Sequence, residues 1–290
     1  MGGFASSDGT RLAYHRSGQE RPLVCVPGGP MQASAYLGDL GGVPSLVRLD
    51  LRGTGESATP ADPATYRCDR QVDDVEALRL HLGLDRIDLL GHSAGAAVAV
   101  WYAARHPDRV GRLVLAAPTP SVVGLAIADA DRREVAEQRR DEPWFPDAFA
   151  AFERIWAGDF SDANWNCIAP FHYGRWDAVS QASYATTTSE YDKALVDAYY
   201  SDGALDPDAV RAAVARLTAP VLLVAGEYDV GLPPKHATAY AGLFPNAELA
   251  MLPRGGHFPW LDDPEWFVRT VTGFLSRTAG EQDRRTPVGG

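Results

Sequence analysis

Gly91-His92-Ser93-Ala94-Gly95 constrains the fold of this chain more than any other stretch. An apolar run, Ile87 to Leu90, leads into it, and a run of largely small residues, Ala96 to Ala104, follows it. That order reads as a buried strand, a sharp turn and a helix. A Gly-x-Ser-x-Gly in such a setting is a strained turn that lifts the serine hydroxyl out at the C-terminal edge of a sheet. Glycines suit both ends of it, because the backbone passes close to neighbouring elements there. The helix that starts near Ala94 aims its free N–H groups and positive dipole end at the same point. Ser93 is therefore the candidate nucleophile.

Further short apolar runs flank this unit. Pro22 to Val26 reads as a strand that ends in Pro27-Gly28-Gly29-Pro30, and Leu46 to Asp50 as one that ends in Arg52-Gly53-Thr54-Gly55-Glu56-Ser57. Val110 to Ala116, Val221 to Ala225 and Ala247 to Leu252 read as three more. Between and after them, Val72, Val75, Leu78 and Leu82 recur at helical spacing within Gln71 to Leu82, and Pro264 to Ser276 forms a terminal helix. Strand–helix alternation predicts an α/β fold: a mostly parallel sheet with helices on both faces, and sites at the strand tips.

The rhythm breaks between 119 and 206. Ala128 to Arg140, Phe145 to Trp156 and Tyr191 to Tyr200 read as helices, punctuated by Pro143, Pro146 and Pro170 and rich in Trp and Tyr. This segment is expected to be a helical cap inserted into a core domain made of 1–118 and 207–277. A cap over the sheet edge excludes water and shapes a pocket, while most of its aromatics cement its own small core. Residues 278–290 are polar, lack periodicity and are expected to be disordered.

Composition narrows the partners. Lys and Arg number 27 against 38 Asp and Glu, a net charge of −11, which disfavours nucleic acid or an anionic membrane. Cys25, Cys68 and Cys167 are scattered, with neither metal spacing nor a disulfide framework, so no metal or cofactor is expected. No signal peptide is visible at the start, and no apolar run reaches the roughly 20 residues that span a bilayer. A cytoplasmic protein acting on a small molecule or short peptide is the expectation.

A serine hydroxyl needs a base, and the base an orienting acid. In this architecture they follow in the order serine, acid, histidine. Asp229 lies just past the strand 221–225, and His257 just past the strand ending at Leu252, so both project from the same edge as Ser93. Glu227, two residues before Asp229, is the rival acid. His92 lies on the turn and points elsewhere, His106 ends a helix, His172 is in the cap, and His15, His81 and His236 fall on surface segments. Oxyanion donors are expected from the Ala94 N–H and from Gly28-Gly29, with Gly29 as donor and Gly28 lining the substrate.

These residues together resemble the α/β-hydrolase superfamily over nearly the whole chain. Gly28-Gly29-Pro30 and Asp50-Leu51-Arg52-Gly53-Thr54-Gly55-Glu56-Ser57 look like the signatures of proline iminopeptidase-like serine aminopeptidases. The resemblance implies a Ser93–Asp229–His257 triad, the oxyanion donors Gly29 and Ala94, a cap in the place assigned above, and removal of an N-terminal or aminoacyl group. The chain departs from that family at Pro27, where the signature has histidine, and at His92-Ser93-Ala94, where the strict iminopeptidases have a tryptophan after the serine. The glutamate that the family sets ahead of a His-Tyr pair is missing before His172-Tyr173. An ammonium-binding acid would then have to be Glu153, Glu190, Asp192 or Glu227. An esterase, lactonase or thioesterase on an apolar substrate is the alternative. A non-catalytic receptor would normally lack one of the three side chains, and a dehalogenase or epoxide hydrolase would need an aspartate at 93.

Overall fold

Apolar runs that alternate between two destinations build the sheet. In the computed structural model, which describes residues 1–188 and 192–277, Val24 and Val26 enter one core while Leu23 and Cys25 enter another. Leu113 and Leu115 likewise part from Val114 and Ala116, and Leu223 and Ala225 from Leu222 and Val224. Side chains alternate across a strand, so strands apolar at every position must be covered on both faces.

Among the described residues the eight strands are β1 (Gly2–Ala5), β2 (Arg11–Ser17), β3 (Leu23–Val26), β4 (Leu46–Leu49), β5 (Ile87–His92), β6 (Val110–Ala116), β7 (Val221–Gly226) and β8 (Ala247–Leu252). They lie in the order β1-β2-β4-β3-β5-β6-β7-β8. β1 pairs antiparallel with β2 and β2 with β4, and every later pairing is parallel. The result is the expected mostly parallel sheet with an antiparallel edge. β1 and β2 are additions to the sequence reading. Their residues are partly exposed and lack the continuous apolar run of the inner strands. A signal was present: Asp8-Gly9 between Phe4 and Leu12 is a hairpin turn, with Gly9 at φ +83° and the Thr10 N–H donating to Asp8 Oδ1 at 2.9 Å.

The helices are α1 (Val72–His81), α2 (Gly95–Arg105), α3 (Asp129–Glu137), α4 (Phe145–Trp156), α5 (Asp162–Cys167), α6 (Ala178–Thr188), α7 (Lys193–Tyr199), α8 (Pro207–Val214), α9 (Pro234–Ala241), α10 (Pro259–Asp262) and α11 (Pro264–Ser276). Side chains of α1, α2, α8 and α9 fill one core, and those of α10 and α11 fill the other with Leu37 and Leu40. α2 is buried from Gly95 to Ala103, and its alanines let it press onto the sheet. A Cβ at Gly91 would stand 2.7 Å from Ala96 Cα. Between β6 and α8 the described residues form helices only. Their core gathers Phe152, Ile155, Ile168 and Phe171, with Trp144, Phe149 and Trp156 packed against it. α4 has the bounds read from the sequence, and α3 and α7 are shorter than expected. Tyr191, Glu190 and the tail 278–290 lie outside the described residues. No helix among the described residues is long and apolar enough to cross a membrane.

Candidate active site

Three loops at the carboxyl ends of β5, β7 and β8 bring Ser93, Asp229 and His257 together. Ser93 takes φ +51°, a conformation uncommon outside glycine. Its N–H donates to the Ala116 carbonyl at the tip of β6, and its carbonyl accepts from Thr119, both at 3.0 Å. The glycines around it are required by space. A Cβ at Gly95 would lie 2.4 Å from the carbonyl oxygens of Val26 and Pro27, and one at Gly28 would lie 2.9 Å from Ser93 Cβ.

His257 Nε2 lies 2.8 Å from Ser93 Oγ, and His257 Nδ1 lies 2.8 Å from Asp229 Oδ2. Asp229 is fully buried. Burial disfavours its charge, but His257 and the Gly231 N–H, which donates to Oδ1 at 2.7 Å, hold its carboxyl below the usual range. Burial likewise opposes protonation of the His257 ring. The Asp229 carboxylate reverses that and holds the ring above its ordinary value. A short chain from hydroxyl to imidazole to carboxylate is able to move a proton from Ser93 to Nε2 while Nδ1 keeps its own proton and donates it to the Asp229 carboxylate.

Two backbone donors stand nearby. Among the described residues, neither the Ala94 N–H nor the Gly29 N–H enters a hydrogen bond within the chain. Gly29 sits at φ +113°. The neighbouring Gly28 N–H is taken, donating to Tyr36 Oη at 2.7 Å.

The main chain of His257 is held at both of its polar groups. Its N–H donates to the His172 carbonyl at 2.7 Å, and its carbonyl lies 3.0 Å from His92 Nε2. His92 points away from the Ser93 hydroxyl, as the sequence suggests, yet it is 1% exposed and engaged at both ring nitrogens, with Tyr36 Oη 2.7 Å from Nδ1. Burial first, and the neighbouring His257 second, push its pKa down to about 3. Sequence reasoning set His92 and His172 aside and did not single out Tyr36. A histidine inside a strand–turn motif was the available signal, but its partners are remote in the chain.

Of the acids considered for binding an amine, Glu153, Asp192 and Glu227 fall among the described residues, and each has another partner. Glu153 pairs with Arg133 at the surface at 2.6 Å, where Arg133 also lies over the Trp156 ring. Asp192 caps its own helix, accepting from Ala194 at 2.9 Å. Glu227 accepts from the Arg254 N–H at 2.7 Å and so ties the β7 loop to the β8 loop. Among the described residues no three His, Cys, Asp or Glu side chains group to hold a metal ion.

A family model described as alpha/beta hydrolase fold matches residues 21–264. A proline iminopeptidase of Clostridium botulinum is 25% identical over 286 residues, covering 92% of this chain and 94% of the relative. An N-formylmaleamate deformylase of Pseudomonas putida is 30% identical over 279 residues, covering 94% of this chain and 96% of the relative. The crystal structure of a proline iminopeptidase of Mycobacterium smegmatis superposes with a TM-score of 0.72 at 22% identity, covering 97% of this chain and 98% of that one.

Proposed function

The chain belongs to the α/β-hydrolase fold family, and from that premise we propose that it is a serine hydrolase working through an acyl-enzyme. Ser93 Oγ attacks the acyl carbonyl carbon as His257 Nε2 takes the hydroxyl proton. The N–H groups of Gly29 and Ala94 receive the developing oxyanion, and each such donor contributes about 3–4 kcal/mol in comparable sites. His257 then passes the proton to the leaving group as the carbonyl re-forms and the bond to that group breaks, which leaves the acyl group on Ser93. Water, deprotonated by the same nitrogen, releases the acid and restores the hydroxyl. Asp229 keeps the ring in the Nδ1–H tautomer. Residues 119–206 serve as a cap over this site, with 1–118 and 207–277 as the core. The observation that carries the reading is the Ser93–His257–Asp229 chain at 2.8 Å and 2.8 Å.

For the substrate, the reading is an N-terminal or aminoacyl amide. Gly28-Gly29-Pro30, the Asp50–Ser57 signature and the iminopeptidase and deformylase relatives support it. A specific observation supports a second class, a neutral ester or lactone. Among the described residues the candidate acids Glu153, Asp192 and Glu227 already serve other partners, and burying an ammonium beside carboxylates so engaged is costly. The test compares aminoacyl p-nitroanilides with p-nitrophenyl esters, using wild type and Ser93→Ala. Turnover of either class that survives Ser93→Ala sinks the serine mechanism. Turnover of esters alone removes the amide reading, and turnover of free-amine substrates that N-acetylation abolishes removes the ester one.

A further inference from the structure

We infer that Tyr36 and His92 are positioning residues of this site, an uncharged strut that fixes the spacing between the oxyanion loop, the turn carrying Ser93 and the loop carrying His257. The inference rests on the serine-hydrolase reading above.

Tyr36 Oη accepts from the Gly28 N–H at 2.7 Å and therefore has its own proton free for His92 Nδ1, also at 2.7 Å. Burial raises the phenol well above its usual range, so the O–H is retained. His92, accepting at Nδ1, carries its proton on Nε2 and donates it to the His257 carbonyl at 3.0 Å. Every donor and acceptor along this path is matched. The path holds no charge that would compete with the Asp229–His257 pair. Aromatic packing locks both rings. His92 meets Trp260 edge-on with centroids 4.7 Å apart and lies 5.1 Å from the His257 ring, and Tyr36 meets Phe258 edge-on at 6.3 Å.

The strut has two consequences for the chemistry. By occupying the Gly28 N–H it orients the loop so that the next N–H, that of Gly29, is left for the oxyanion. By holding the His257 carbonyl, opposite the His172 contact to the His257 N–H, it stops the base from sliding along its loop. Neither residue touches the reacting atoms. Their effect is on distance, and a displacement of about 1 Å in such a site can lower the rate about 10²-fold.

The test uses the full chain with three variants and measures kcat, KM, the rate of Ser93 labelling by a fluorophosphonate, and Tm. Tyr36→Phe keeps the ring and removes the hydroxyl. His92→Leu removes both ring nitrogens, whereas His92→Gln restores an N–H donor near the place of Nε2. We expect kcat and the labelling rate to fall about tenfold in Tyr36→Phe and about 10²-fold in His92→Leu. KM should stay within about twofold, and His92→Gln should recover about tenfold of the His92→Leu loss. Unchanged kcat and labelling in folded Tyr36→Phe overturn the inference. So does a His92→Gln variant that folds like wild type and is no faster than His92→Leu. If His92→Leu does not fold, the Tyr36→Phe result alone decides. A wild-type chain that resists labelling removes the serine-hydrolase reading and this inference with it, whereas a labelled wild type with unaffected variants removes only this inference.

Discussion

Ser93 is held in a left-handed backbone conformation by hydrogen bonds to Ala116 and Thr119 and by glycines that let β3 and α2 close in on it. Its hydroxyl is an ordinary alcohol until His257 is neutral and correctly placed. His257 is protonated to a higher pH than a free histidine because the Asp229 carboxylate outweighs burial. Under the serine-hydrolase reading, activity is expected to rise as pH climbs through that raised value. Asp229→Asn removes the charge that raises it. Its kcat should fall about 10⁴-fold, and the acid limb of its kcat/KM profile should move to lower pH. A limb that stays in place would show that Asp229 does not set the charge on the base. His92 and His172, pushed down to about 3 and about 4 chiefly by burial, remain neutral across this range and contribute no limb of their own.

Each loop of the site is built by its strand and by a fastening peculiar to it. The Asp50–Ser57 stretch after β4, read from the sequence as a family signature, acts in the structure as a fastening. Asp50 Oδ1 accepts from the Ser34 N–H at 2.9 Å, and its Oδ2 accepts from the Glu56 N–H at 3.1 Å. Arg52, 2% exposed, donates from Nε to Asp74 on α1 at 2.8 Å and from Nη1 to Asp8 in the β1–β2 turn at 2.8 Å. Breaking this buried pair should be severe: Asp74→Ala leaves a buried guanidinium short of its main partner, with an expected loss of about 3–5 kcal/mol in urea unfolding. At α2 the limit is steric. Gly95→Ala would drive a methyl into the carbonyls that end β3, so an expected loss of about 1–3 kcal/mol should accompany slower labelling of Ser93. Wild-type stability and labelling in Gly95→Ala would show that β3 and the turn are able to part.

Across the whole molecule, the helical segment is fastened to the core at several points, among them Tyr199 Oη donating to the Ala94 carbonyl at 2.8 Å and a seam beside His257. His172, Tyr173 and Gly174 run against Gly256 and His257, and Asp262 bridges them, its Oδ1 accepting from Gly174 at 2.9 Å and its Oδ2 from Gly256 at 2.6 Å. A Cβ at Gly256 would come within 2.6 Å of the His172 carbonyl oxygen. Burial raises the Asp262 pKa to about 6, and the bonds from Gly256 and Gly174, with Arg175, only partly oppose this. An unfolded aspartate titrates near about 3.9. Between those values the folded chain binds more protons than the unfolded one, so the contribution of this group to stability declines as pH rises from about 4 to about 6. Relative to Asp262→Asn, wild type should lose Tm over that window. Parallel Tm curves from pH 4 to 7 would exclude the effect.

Legibility followed distance along the chain. The strand–turn–helix at 87–105, the apolar inner strands and the helix at 145–156 are patterns among near neighbours, and the sequence alone determined them. The chain order of serine, acid and histidine, each just past a strand, put the three side chains on one edge because parallel strands end on the same side. Tertiary structure alone decided what lies between remote residues. Tyr36 meets His92 across 56 positions, and His92 meets the His257 carbonyl across 165. It also decided that Glu153, Asp192 and Glu227 spend their carboxylates on Arg133, a helix cap and a loop latch. A polar side chain chooses partners by geometry and burial, and neither is encoded by the identity of its sequence neighbours.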